Sequence, residues 1–353
     1  MKIILDMMGS DNGVRATTEG AVMAVREFGE ELILVGNETE IKKILKEQGE
    51  ENNPKLTVVH ADEVISMEDD ANAPVRTKKN SSMAIALNML ANGEGDAVVS
   101  AGSTGAFLTG ATLIVKRIRG IRRAALTPIL PNAKSGSVLI DCGANVECTA
   151  ENLYQFAFMG SLYAEHYMGV KNPRVALINN GAEKTKGTSL YVEAYAQLKE
   201  AAEKGEINFI GNIEGRDVPQ GVCDVIVADG FTGNILLKTV EGVALFFMNE
   251  FKSILNETML TKVAGAIVKP GMRALKHRMD YTEIGGAPLL GISKPCIKAH
   301  GSSDALAIKN AIRQAKQFVS KGVINEIIDS LAALSAKNDA EKEAISEENS
   351  NNG

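Results

Sequence analysis

The sequence predicts an α/β fold, a three-layer α/β/α arrangement around a mostly parallel sheet. Two observations carry this. Short β-branched runs alternate with longer stretches of helical period, and polar, glycine-bearing clusters fall where the runs end. The strand candidates are KIILD (2–6), ELILVG (31–36), LTVVH (56–60), DAVVS (96–100), SVLID (137–141), RVALIN (174–179) and DVIVAD (224–229). They are near-continuously apolar, as strands covered on both faces are. Between them the apolar spacing predicts helices over 15–28, 38–48, 75–91, 104–118, 151–167 and 187–204. Such alternation builds right-handed crossovers.

The stretch 232–279 departs from the alternation. It reads as a helical excursion without a strand, broken at Pro270 and Gly271. Its first half, VALFFMNEFKSILNETML, carries a broad apolar face. Its second half mixes apolar residues with Lys262, Lys269, Arg273, Lys276 and Arg278. Residues 1–334 read as a single domain. The acidic, asparagine-rich tail 335–353 lacks large apolar side chains over most of its length and is expected to be disordered.

Composition narrows the function classes. Across 353 residues the net charge is −6, so nucleic acid is not the default partner. Cys142, Cys148, Cys223 and Cys296 form no CxxC pair and the four histidines are scattered, which argues against a zinc site or a disulfide framework. The start, MKIILDMMGSD, meets an acid at Asp6 before any leader-like apolar core has formed, and a cytoplasmic location is expected. No Gly-Lys dipeptide, GxGxxG, GxSxG or HExxH occurs, which removes the simplest nucleotide, nucleophile-elbow and zinc-protease readings.

In an open α/β sheet, ligands bind beyond the carboxyl ends of the strands. Here those ends carry DMMGSDNG, SAGSTGA, DCGAN, NNGAE and DGFTGN. In SAGSTGA, Ser103 or Thr104 is placed to cap a helix, while Gly102 and Gly105 let a ligand approach the main chain. The stretch AHGSSD has a similar form: His300, Gly301, Ser302 and Ser303 precede a helical run opened by Asp304. Such neighbours on one turn rarely present serine and aspartate to opposite nitrogens of one ring, so a triad is disfavoured. An anion site at a helix start fits, and so does plain capping. Lys298 and one of Arg76, Lys78 or Lys79 are candidate counter-charges for an anion. The run VKRIRGIRR supplies Lys116, Arg117, Arg119, Arg122 and Arg123, either a solvated helix end or a dock for an acidic partner.

Eight stretches in order, DMMGSD, KKNSSM, SAGSTGA, DCGAN, FIGNIEGRD, DGFTGN, EIGGAPLLG and KAHGSSDA, resemble the PlsX-type phosphate acyltransferases of bacterial phospholipid synthesis, from Lys2 to about Glu326. Ser10 and Ser103 stand where that family usually has glycine and asparagine. The resemblance implies a fold similar to isopropylmalate dehydrogenases and phosphotransacetylases. It also implies attack of inorganic phosphate on the thioester of a long-chain acyl–acyl carrier protein, without cofactor or metal. A homodimer and peripheral association with the inner face of the cell membrane belong to the same expectation. So does carrier docking on the basic run at 116–123, with membrane contact through the hairpin at 250–278. On this basis Gly102, Ser103, Thr104, Gly105, Lys298, Gly301, Ser302 and Ser303 are expected to hold phosphate. Asn145 and Asn234 are expected as oxyanion donors, His300 as a phosphate donor or the acid for the leaving sulfur, and Asp229 as an orienting group. Two rival enzymes share the scaffold, an acyl-CoA phosphotransacetylase and a decarboxylating dehydrogenase, and a non-catalytic membrane scaffold is the rival of another class.

Overall fold

The computed structural model describes residues 1–279 and 285–351. All seven strand candidates form strands: β1 (Lys2–Asp6), β2 (Glu31–Gly36), β3 (Leu56–His60), β4 (Ala97–Ser100), β7 (Ser137–Ile140), β8 (Arg174–Ile178) and β10 (Val225–Val227). Five more join them: β5 (Ala125–Leu126), β6 (Ile129–Leu130), β9 (Asn208–Ile213), β11 (Ala287–Leu290) and β12 (Cys296–Lys298). The expected single sheet is two. One runs β3-β2-β1-β4-β12-β11-β5 and the other β6-β7-β10-β8-β9. Strands β1 to β4 and β12 are parallel, as are β7, β10, β8 and β9; β11 and β6 enter antiparallel. Buried Ile3 and Leu5 of one sheet and Val138 and Val227 of the other belong to one hydrophobic cluster, and Ile4, Val98, Leu139 and Ile226 belong to a second that also draws on both sheets.

Helices α1 (Gly13–Phe28), α2 (Glu38–Glu47), α5 (Ala150–His166) and α6 (Ser189–Glu203) follow the expected spans closely. α3 is shorter than expected, Ser82–Asn92, because Ser81 caps it by accepting from the Ala84 amide at 3.3 Å. The helix from Thr104 also stops early. α4 (Thr104–Gly110) passes into a single π turn, Ala111–Val115, and Lys116 at φ 78° ends it. The basic run therefore lies on a loop and not on a helix end. Ile118 and Ile121 are buried there, while Lys116, Arg117, Arg119, Arg122 and Arg123 are all exposed.

The excursion is a hairpin of α7 (Gly230–Asn256) and α8 (Met259–Met279). Its break falls at 257–258, where Thr258 and Thr261 exchange amide-to-hydroxyl bonds of 2.9 and 3.1 Å, and not at Pro270, which lies inside α8. The capping serves the orphan amides that open a helix, whereas an interior proline removes one bond and leaves the next turns free to continue. The side chains of Lys276 and Arg278 lie outside the described residues. The hairpin exposes Phe246, Phe247, Leu260, Val263 and Ile267. α7 is the one described helix long and apolar enough to cross a membrane by length and composition.

The last helices are α9 (Ala305–Ser320) and α10 (Val323–Asn351). α10 carries helical backbone through most of the tail expected to be disordered; residues 352–353 lie outside the described chain. Its first turns pack Ile327, Leu331 and Leu334 on the core, and the alanine-, glutamate- and lysine-rich sequence beyond them propagates a nucleated helix at little cost.

Candidate active site

In the first sheet β1 lies between β2 and β4, so successive connections leave in opposite directions and open a crevice at their carboxyl ends. Three residues stand there side by side. Asp6 pairs in register with Ser100, and Ser100 with Lys298. The Asp6 carboxylate accepts from Ser82 Oγ at 2.6 Å and Ser100 Oγ at 2.7 Å, and Ser100 Oγ accepts from the Gly102 amide at 3.1 Å. The network fixes SAGSTGA against the first loop. A Cβ on Gly102 would lie 2.8 Å from the terminal methyl of Met83, so a larger residue there would displace that side chain. Burial raises the Asp6 carboxyl above its usual range, against the bonds from Ser82, Ser100 and the Met8 amide and the attraction of Lys298. Burial also pushes Lys298 down to about 8, partly offset by Asp6 and Asp11 and reinforced by Lys238.

The second wall is α7. Asp229 caps it, accepting from the Thr232 amide at 2.9 Å, Thr232 Oγ1 at 2.8 Å and Tyr191 Oη at 2.6 Å. A Cβ on Gly233 would lie 1.9 Å from the Asp141 carbonyl oxygen, so the first turn of α7 rests directly on the chain leaving β7. The helix then presents Asn234 and Lys238, one turn apart, to the crevice.

Between these walls lies a cleft of about 420 Å³. Its polar end holds Thr104, Asn234, Lys238, Glu241, Lys298, His300 and Gly301. His300 Nε2 is 3.3 Å from Lys238 Nζ, and Nδ1 is 2.8 Å from Ser302 Oγ. An ammonium and a main-chain amide only donate, so Nε2 faces the Lys238 donor while Nδ1 faces the Ser302 amide at 3.2 Å. Lys238 is held from its other side by Glu241 at 2.8 Å. Burial, then the charge of Lys238, lowers the His300 pKa, so the ring is neutral at pH 7. Two ammonium groups and a neutral imidazole share this space with one carboxylate, Glu241, which leaves a net positive charge that suits an anion.

Five of the residues nominated from sequence line this cleft: Thr104, Asn234, Lys298, His300 and Gly301. Gly102, Ser103 and Gly105 form the turn behind Thr104, where Ser103 caps the helix by accepting from the Ala106 amide at 3.5 Å. Ser302 and Ser303 stand behind His300. The cap of α9 is neither serine but Asp304, which accepts from the Ala307 amide at 2.8 Å. Asp11 and Asn12 of the first loop tie this turn down, the Asp11 amide donating to the Gly301 carbonyl at 2.9 Å and Asn12 Nδ2 to the Ser302 carbonyl at 2.9 Å. Asn145 is a correction. Its side-chain amide donates to the Ala124 carbonyl at 2.7 Å and to Asp141 Oδ2 at 3.0 Å. Both protons are committed inside the core, so no oxyanion donor remains there. Of the other basic candidates, Lys78 pairs with Asp69 at 2.7 Å, Arg76 and Lys79 are exposed, and none lines the cleft.

The sequence reading missed Lys238 and Glu241, although their spacing of four and seven from Asn234 places all three on one helix face. It also missed the apolar lining, to which Leu126, Pro128, Ile129, Leu130 and Pro131 contribute together with Leu237, Val240 and Ala244.

Fold and cleft together define a class. A phosphotransacetylase from Streptococcus pyogenes superimposes with a TM-score of 0.61, covering 90% of this chain and 94% of that one at 19% identity. A branched-chain phosphotransacylase from Enterococcus faecalis V583 gives a TM-score of 0.52 over 90% of this chain and 99% of that one at 15% identity. These likenesses are of fold. Sequence comparison goes further. The model of the family described as fatty acid synthesis protein matches residues 1–326. A phosphate acyltransferase of Bacillus licheniformis is 47% identical over 92% of this chain and 96% of its own. One from Alkaliphilus oremlandii is 45% identical over 95% of this chain and 98% of its own. The chain belongs to the phosphate acyltransferase family, and is an acyltransferase.

The lowered pKa of Lys298 gives phosphate binding a direction with pH. Below about 8 the group is an ammonium and attracts an anion; above it the charge is lost. Calorimetric titration with inorganic phosphate should show affinity falling as pH rises from 7 to 9.5, with a smaller fall in Lys298→Gln. Equal pH dependence in the two proteins would dissociate Lys298 from the anion site.

Proposed function

We infer that this chain transfers a long-chain acyl group from the thioester of an acyl carrier protein to inorganic phosphate, giving acyl phosphate for phospholipid synthesis. The observation that carries the reading is the convergence of Lys238, Lys298 and neutral His300 at one end of the cleft, in a member of the phosphate acyltransferase family. Phosphate lies between the two ammonium groups and the turns at Thr104 and Gly301. One of its oxygens attacks the thioester carbon, the carbonyl oxygen takes up the negative charge, and the carbon–sulfur bond then breaks. The sulfur leaves as thiolate and takes one proton, which is balanced by the proton that hydrogen phosphate gives up on becoming acyl phosphate.

Phosphate is itself the nucleophile, so the polar end needs no serine or cysteine. Orienting it against the thioester is worth roughly 7–11 kcal/mol, and each donor aimed at the oxyanion about 3–4 kcal/mol. Asn234, with Asp229 fixing its helix, is assigned as such a donor. Neutral His300 is a poor acid and is assigned to holding phosphate. Lys298, at about 8, stands close to the ordinary thiol value of about 8.5 and is assigned as the acid for sulfur. The reaction in this assignment uses no cofactor. A strongly acidic carrier protein docks on Lys116, Arg117, Arg119, Arg122 and Arg123, all exposed on one loop. The chain acts as a homodimer in the cytoplasm, and the exposed apolar residues of α7 and α8 meet the inner membrane surface.

The central test incubates palmitoyl–carrier protein with phosphate and traps acyl phosphate with hydroxylamine, with acyl-CoA and nicotinamide controls. Acyl hydroxamate should appear from the carrier thioester, and Lys238→Met and His300→Ala should each lower kcat/KM by roughly 10²-fold with unchanged circular dichroism. No hydroxamate from the natural sequence would end the reading. Reversing charge at Arg122 and Arg123 should raise KM for the carrier and flatten its salt dependence while leaving kcat within about twofold; an unaltered KM removes the dock. Flotation with anionic vesicles should carry the protein upward, and making Leu260, Val263 and Ile267 polar should leave it at the bottom of the gradient; flotation undiminished by those changes would clear the hairpin of that role.

A further inference from the structure

The cleft is lined by polar and by apolar residues, and phosphate binding uses only the polar ones. Along α7 the lining residues form two adjacent stripes. Asn234, Lys238 and Glu241 make the polar one. Leu237, Val240 and Ala244, spaced by three and four, make the apolar one, and Leu126, Pro128, Ile129, Leu130 and Pro131 line the same cleft. The same spacing continues past the cleft through Phe247, Phe251 and Ile254, which are 53%, 44% and 53% exposed.

We propose that this apolar stripe is the acyl-chain track, with Ala244 as its gate. The proposal rests on the acyl transfer inferred above and assigns the substrate's hydrocarbon a place. The thioester carbon has to lie beside Asn234 and Lys238, where two ammonium groups exclude methylenes. Leu237 adjoins Lys238 on the same helix turn, and a continuous apolar wall leads from it to Ala244. From Leu237 to Ala244 the helix rises about 10 Å at 1.5 Å per residue, less than the length of a long acyl chain. The distal carbons therefore run out past Ala244 onto Phe247 and Phe251. Alanine is the smallest side chain on the stripe and stands where the walled cleft gives way to the exposed hairpin. A larger residue there closes the track without touching the polar end.

Each methylene removed from water changes binding about fourfold, so displacing four of them from the track costs on the order of a hundredfold in kcat/KM. The test measures acyl phosphate formation from 16-carbon and 6-carbon acyl–carrier proteins by the natural sequence and by Ala244→Phe. The ratio of kcat/KM for the long over the short substrate should fall at least tenfold in the variant. Ala244→Leu, a smaller plug, should lower the same ratio by less and serves where the phenylalanine variant does not fold. An unchanged ratio in folded variants, whether both substrates suffer alike or neither does, overturns the track while leaving acyl transfer to phosphate standing. Failure of the natural sequence to form acyl phosphate from either substrate sinks both.

Discussion

Three parallel strands that end in register set the chemistry of this molecule. Hydrogen bonding between β1, β4 and β12 forces Asp6, Ser100 and Lys298 into one row. Burial there is unfavourable for both charges, which raises the one pKa and lowers the other. The arrangement holds because the carboxylate takes two serine hydroxyls and the ammonium faces a cleft. Every other part of the polar end is referenced to that row. Gly102 hangs from Ser100, Thr104 follows it, and the turn from His300 to Ser303 is stitched to Asp11 and Asn12 of the first loop.

The opposite wall solves a different problem. α7 has to deliver side chains to the row from another sheet, and it is anchored at its root by Asp229, by the Gly230 amide donating to the Asn145 carbonyl at 2.7 Å, and by the contact of Gly233 with Asp141. Asp141 accepts amide bonds from Leu126, Ala144 and Asn145, yet burial still holds its carboxyl up near 6. Asn145 belongs to this buttress. Its value to the site is positional, since the peptide it supports is the one α7 stands on.

Much of the first sheet was legible because its strands are apolar on both faces, and that pattern depends on burial alone. The strands that escaped notice are short or interrupted. β5 and β6 span two residues each, and β9 carries Gly211 at φ 102° beside a register shift, which breaks the apolar run. The site was legible where a motif ends a strand, as with Thr104, Lys298 and Gly301. It was illegible where the contribution comes from within a helix, as with Lys238, because a lysine on an amphipathic helix looks like any solvated charge until the facing histidine is seen. The basic loop shows the same limit. Five cations in a short span were plain, but the π turn that throws them onto a loop carries no signal in the sequence. The hairpin's break was misplaced because proline is a louder signal in sequence than two threonines.

The contact of Gly233 has a consequence for how such a chain can drift. A methyl group at that point would overlap the main chain leaving the neighbouring strand β7, so the residue admits no neighbour in sequence space and α7 no outward step. The far arm carries no such restriction, being largely free of the body. Insertions or deletions of whole helical turns beyond Ala244 would lengthen or shorten the arm while its pivot stays where it is. Reach and reactivity are thereby separable traits along a single helix.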